Sequence, residues 1–208
     1  MGILRKGVFD GFEGKTGPLV GRKVNGKSVI SAAQHKTTKP RIQAQIDQQL
    51  KFALVTNFLK RFKRLIAVGF ANVKHRNAFN AAVKYNFRNI IRGVSPDYSI
   101  DYSKLVYSRG CLAGAYSPSV TVGSDKLIIS WLPHAQSQLN QHSDKASFLV
   151  YCPDKQLTVI LERAVNRAAL QFELELPVGL MGLPLHVYMS FVSINGKEVS
   201  NSMYLGIF

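Results

Sequence analysis

The sequence predicts an α+β protein: a Gly-rich basic arm with a β-hairpin, then two amphipathic helices, then an all-β part. Three observations carry that reading. Glycines crowd the first forty residues. Apolar residues recur with a helical period between residues 41 and 95, and with a period of two after Pro96. Charge is lopsided: residues 1–92 hold 19 Lys and Arg against three acids, whereas residues 93–208 hold 8 against 9. The expected regions are therefore a basic arm over 1–40, a basic helical region over 41–95 and a β-sandwich over 96–208.

In the arm, Gly2, Gly7, Gly11, Gly14, Gly17, Gly21 and Gly26 are too dense for a helix to survive. Asn25-Gly26 favours a tight type I′ turn and predicts a hairpin from strands at 19–24 and 27–30. A lone two-stranded hairpin is marginal in water, so this one is expected to dock on the rest of the molecule, a neighbour or a ligand.

Thr37-Thr38-Lys39-Pro40 reads as a helix entry, a hydroxyl cap beside a first-turn proline. Ile42, Ile46, Leu50, Leu54, Phe58 and Phe62 then recur every four residues, followed by Leu65 and Ile66. This ladder predicts one apolar helix face running to about Val68, breaking near Lys60 and ended by Gly69. A second helix over 77–91 presents Phe79, Val83, Phe87 and Ile90, and Gly93 and Pro96 stop it. Two such helices make an antiparallel pair too thin to be stable without a third layer.

The period-two pattern predicts strands at 101–108, 119–122, 126–132, 146–152, 157–162, 168–176, 185–193 and 198–205, with Asn195-Gly196 joining the last two. Their spacing is that of an all-β sandwich. No segment of 20–50 residues repeats, which argues against a solenoid.

The chain has 208 residues, 46% hydrophobic and 10% aromatic, as in globular proteins. No apolar run is long enough for a transmembrane helix. The opening residues lack the apolar run of a signal peptide, and Lys6 stands where an acylation signal wants Ser or Thr. A cytoplasmic location is expected. Cys111 and Cys152 are far apart and suit neither a zinc site nor a disulfide framework; they read as small hydrophobes in strands.

No set of nucleophile, base and orienting group stands out. His134 and His142 share the polar loop 133–144 with Asp144, but no third ligand sits at useful spacing, so the loop reads as solvated. His186 alternates with inward residues and is expected at the surface or in a hydrogen bond. Glu173 and Glu175 fit the wet face of a half-buried strand, and Asp97 and Asp101 fit turn hydrogen bonds. There is no G-x-S-x-G, and Gly14-Lys15-Thr16 lacks the earlier glycine of a phosphate loop while Gly17-Pro18 forbids the helix it needs. No catalytic residue, cofactor or metal is therefore expected, and the protein reads as non-enzymatic.

The cations are the stronger lead. Lys60, Arg61, Lys63 and Arg64 surround Phe62, so the aromatic can face a core while the charges face outward. Lys74, Arg76, Lys84, Arg88 and Arg92 continue the series, and Arg22, Lys23 and Lys27 flank the hairpin turn. Solvated helices ordinarily mix both signs to gain pairs one turn apart. Residues 48–92 contain no Asp or Glu at all. Self-repulsion there opposes the compact state unless an anion offsets it. These residues point to a polyanion, foremost nucleic acid or an assembly containing it such as a phage-type particle. The contacts would neutralise phosphates with little sequence preference. The alternative is an adhesion or protein-interaction module acting through the sandwich, with the basic half as an anchor.

Two resemblances add to this reading. Residues 126–133 (KLIISWLP), with Trp131, resemble the tryptophan-bearing second strand of fibronectin type III domains. Residues 148–151 (FLVY) resemble their third strand, and 186–192 (HVYMSFV) with Gly196 and Ser200 their closing hairpin. That resemblance covers about 110–208 and implies a core role for Trp131, not a ligand site. The whole chain also resembles an uncharacterised bacterial family, a domain of unknown function. The likeness lies in the Gly-rich segment 14–30, the helix 43–58, and residues 78–86 (AFNAAVKYN), 96–103 (PDYSIDYS) and 191–206. It carries no activity across.

Overall fold

The computed structural model describes residues 2–4, 11–24, 26–34, 40–73, 77–123 and 125–208. The fold is mixed α+β, with antiparallel sheets, and divides into two compact units, Met1–Ile42 and Gln43–Phe208.

The first unit is a four-stranded antiparallel sheet. Strands β1 (Gly2–Leu4), β2 (Gly14–Thr16), β3 (Leu19–Val24) and β4 (Lys27–Ala32) are ordered β1-β4-β3-β2. The expected hairpin is β3–β4, closed where Val24 pairs with Lys27, and Gly26 there adopts φ +75°. Asn25 lies outside the described residues, as does the helix entry at 37–39. The hairpin is not left as a pair: β2 and β1 flank it within the unit. Glycines that forbid helix still permit extended strands and tight turns. Apolar burial is sparse here, and Val29 is the one fully buried large hydrophobe among the described residues of this unit.

The second unit opens with three helices, α1 (Gln43–Lys60), α2 (Lys63–Gly69) and α3 (Ala78–Asn89). The ladder does break after Lys60, and Phe62 sits buried at the joint. Its early rungs behave differently from expectation. Val55, Phe58 and Leu59 are buried, but Ile42, Ile46 and Leu50 are 64%, 36% and 42% exposed. Rungs four residues apart rotate by about 40° each around a helix of 3.6 residues per turn, so one straight core cannot receive them all. At α3, Asn77 is the N-cap: its side chain accepts from the N–H groups of Phe79 and Asn80 at 3.0 and 3.4 Å.

Strands β5 (Ile91–Val94) and β6 (Asp97–Ile100) follow as a hairpin around the cis Ser95–Pro96 peptide, so Pro96, a helix stop by sequence, also sits in a turn. The strand expected over 101–108 does not form. Asp101 instead caps a single 3₁₀ turn at Tyr102–Lys104, accepting from the Ser103 N–H at 3.2 Å and hydroxyl at 2.6 Å. A short side chain that bonds its own backbone competes with the sheet ladder.

Two sheets complete the unit. One has the order β11-β8-β7, with β7 (Tyr116–Val122), β8 (Lys126–Leu132) and β11 (Gln171–Glu175). The other has the order β10-β9-β12-β13, with β9 (Lys145–Cys152), β10 (Leu157–Asn166), β12 (His186–Val192) and β13 (Met203–Ile207). The 168–176 strand begins only at Gln171, because Leu170 closes a 3₁₀ turn in the left-handed region. The 198–205 strand begins only at Met203. Before it, Ser200 makes side-chain bonds, its hydroxyl accepting from the Phe191 N–H at 2.8 Å. The Asn195-Gly196 turn is present, with Gly196 N–H donating to Ser193 O at 2.8 Å.

Both sheets feed one core, in which Leu127, Ile129 and Trp131 of β8 meet Phe148 and Val150 of β9 and Val187, Met189 and Phe191 of β12. The opposite faces of β9 and β12 supply Leu149, Tyr151 and Tyr188 to a second core with Val55, Phe58, Leu59, Ile66 and Ile90 of the helical region. This sheet face is the third layer the helices require. Strands buried on both faces show near-continuous apolar runs, as FLVYC and VYMSFV do. Each such side chain contributes about 1.5–3 kcal/mol when fully buried.

Candidate functional site

Several charges of the β-rich half are held in ion pairs. Lys126 and Glu173 pair at 2.6 Å across the β8–β11 ladder. Asp101, almost fully buried, meets Arg92 at 2.6 Å and Lys104 at 3.6 Å. Burial alone would raise its pKa, but the Ser103 hydrogen bonds and the two cations outweigh that and hold it below the usual carboxylate value.

The histidine loop is also structural. Asp144 is 2% exposed and ion-pairs Arg167 at 3.2 Å. Arg167 donates to the carbonyls of Ala113 and Gly114 at 2.8 and 3.1 Å, and its guanidinium lies over the Phe191 ring at 3.6 Å. The Trp131 indole N–H donates to Arg167 O at 2.9 Å. His134 Nδ1 lies 3.0 Å from the Asn140 amide nitrogen. Among the described residues, no group of three or more His, Cys, Asp and Glu is placed to hold a metal ion. His186 is half-buried, with Nδ1 2.9 Å from the Tyr204 hydroxyl, and burial lowers its pKa. Cys152 is a buried strand residue as expected, but Cys111 is exposed and outside any strand. Its thiol donates to Glu198 at 2.9 Å, and that hydrogen bond, with the carboxylate charge, raises its pKa.

The cations singled out by sequence separate into groups. Arg22, Lys23 and Lys27 are exposed on β3 and β4 of the first unit, and Lys23 stands 3.9 Å from Glu13, a solvent-exposed pair of little energetic weight. Lys74 and Arg76 lie outside the described residues. At the α1–α2 joint, Arg61 grips the β9–β10 turn: its two Nη groups donate to the Gln156 carbonyl and side-chain oxygens, both at 2.6 Å. Arg64 lies 3.6 Å from Glu162 on β10, with its side chain 88% exposed. Lys60, Lys63, Lys84 and Arg88 are exposed and have no ion pair among the described residues.

Lys84 and Arg88 also border a groove of about 630 Å³ between α1 and α3. Phe52 and Thr56 line it from α1, one helical turn apart, and Phe79 and Phe87 from α3. Val83 and Phe87 were legible as an apolar stripe. Phe52 was not, because it falls off the four-residue ladder that defines α1; the signal lay in its spacing of four from Gln48 and Thr56, which place it on the groove side.

These features define a mixed α+β protein with a cationic helical layer, free of acids over residues 48–92, on a two-faced sheet. The chain belongs to a family of unknown function, DUF6266, which matches residues 11–206. No curated protein matches it. No helix among the described residues is long and apolar enough to cross a membrane.

Proposed function

We propose that this is a non-enzymatic binding protein whose basic N-terminal half contacts nucleic acid, free or within a nucleic-acid-containing assembly such as a phage-type particle. The observation that carries this is the state of Lys60, Lys63, Lys84 and Arg88. They stand in water on α1, α2 and α3 with no ion pair among the described residues, in a stretch, 48–92, that contains no acid. Other cations bind partners within the chain, as Lys126 does with Glu173 and Arg167 with Asp144. Unpaired cations of one sign suit a phosphate backbone, which supplies the missing charge and releases counterions.

A second reading assigns binding to the β-rich half. Three-stranded and four-stranded antiparallel sheets closing on the buried Trp131 support describing residues 110–208 as fibronectin type III-like. Such a module presents faces and loops to protein partners.

The deciding experiment is fluorescence anisotropy of labelled oligonucleotides with the full chain over a salt series. Affinity should fall linearly in log–log form, by about 0.7 per phosphate contact on single strands and about 0.9 on duplex. No binding at low salt would discard the nucleic-acid reading and leave the sheet-mediated one.

A further inference from the structure

We propose that the α1–α3 groove receives the unstacked bases of a single-stranded nucleic acid, with Lys84 and Arg88 on its phosphates. This rests on the nucleic-acid reading above and narrows it from any phosphate backbone to a single strand.

The groove offers aromatic faces first. Phe52 is 54% exposed, and it projects into the groove rather than into either core. Phe79 and Phe87 form the facing wall, half-buried, with part of each ring against the helical core. Open phenylalanine faces beside cations are what sequence-tolerant single-strand binders use, because every base has a face to stack. In a duplex those base faces are covered, and a paired backbone would meet only the rim. Lys84 and Arg88 sit one helical turn apart on that rim, about 6 Å along the axis.

The polar content of the groove then favours a base over the apolar face of a peptide. The Thr56 hydroxyl is buried in the groove wall and has no hydrogen-bond partner among the described residues. Gln48 and Asn80, which carry side-chain amides, line the same space. Base edges carry donors and acceptors for such groups, whereas the apolar stripe of an amphipathic helix would cover them and leave them unpaired. No acidic residue lines the groove.

The test uses the full chain, a labelled oligothymidylate of about twenty nucleotides, and the same strand annealed to oligodeoxyadenylate, because that length covers more than one typical single-strand site. The wild type should prefer the single strand. Phe52→Ala should weaken single-strand binding about tenfold, the loss expected for one stacked base, while duplex affinity and thermal unfolding stay unchanged. Phe52→Trp should restore affinity and show tryptophan quenching on binding. Equal affinity for both probes, with Phe52→Ala neutral, would overturn the groove assignment and leave the phosphate reading intact. Failure of both probes to bind at low salt would overturn the two together. If an acidic amphipathic peptide then bound with the same dependence on Phe52, the groove would belong to a protein partner.

Discussion

Asn86 acts as a surrogate strand for Val106. Its Oδ1 accepts from the Val106 N–H at 3.0 Å and its Nδ2 donates to the Val106 carbonyl at 2.7 Å, while Nδ2 also donates to Ala82 O at 2.9 Å. One fully buried amide on α3 thus satisfies both backbone groups of a residue with no ladder of its own. Asn86→Leu keeps the volume but strands those groups. It should cost about 2–4 kcal/mol, because an unpaired buried polar group costs about 1–3 kcal/mol. Urea unfolding at neutral pH measures it, as a lower midpoint with an unchanged slope.

Gly69 sets how closely the helical layer approaches the same connection. A Cβ there would meet the Tyr107 carbonyl oxygen and stand 2.6 Å from Ser108 Cα, and the Gly69 carbonyl accepts from the Arg109 N–H at 2.8 Å. Backbone cannot swing aside as a side-chain tip can. Gly69→Ala should destabilise by about 1–3 kcal/mol. Gly179→Ala is the control, since its nearest neighbour is the flexible Lys155 Nζ at 3.6 Å. It should stay within about 0.5 kcal/mol of wild type, as surface substitutions do.

His186 adds an acid sensitivity with a defined sign. Burial beside Tyr102 and Tyr204 lowers its pKa, and the nearby Asp101 charge, which acts in the opposite direction, does not cancel that effect. The folded state therefore binds its proton less readily than the unfolded chain does. Stability is intact above the unfolded pKa of about 6.5 and falls as pH drops from there toward the folded value. Urea midpoints at several pH values between about 7.5 and 5 should decline in the wild type and decline less in His186→Gln. Equal slopes in the two proteins would show that His186 is not the responsible group.

What could be read from the sequence followed local chemistry, and what could not depended on contacts between distant residues. Gly26 and Asn195-Gly196 mark their turns locally, and the α1–α2 break at Lys60 was implicit in the rotation of a four-residue ladder. The exposed half of α1 had no local marker: Ile46 and Phe58 look alike in sequence, and only Phe58 lies over Tyr151 of β9, ring centres 5.1 Å apart. Residues 101–108 carry a strand-like alternation, yet Asp101, Asn86 and Ser202 take their backbone bonds instead; Ser202 Oγ accepts from the Tyr107 N–H at 3.1 Å. At the candidate site the cations were legible because charge is counted directly. The groove was not, since Phe52 comes to share a groove with Phe79 and Phe87 only after two helices pack.

Arg61 and its neighbours Lys60 and Lys63 look equivalent in sequence but should separate by experiment. Arg61 spends both Nη groups on Gln156, which lies 95 positions away, so it ties the α1–α2 joint to the β9–β10 turn. Lys60 and Lys63 have no such tie. Arg61→Gln should lower the melting temperature, by about 2–4 °C for each kcal/mol lost in a chain of this size. It should leave the salt slope of oligonucleotide binding nearly unchanged. Lys60→Glu with Lys63→Glu should do the reverse, holding the melting temperature while removing up to about two phosphate contacts from the slope. Calorimetry and anisotropy on the two variants read both effects. A slope unaffected by the lysine pair would exclude Lys60 and Lys63 from the nucleic-acid contacts.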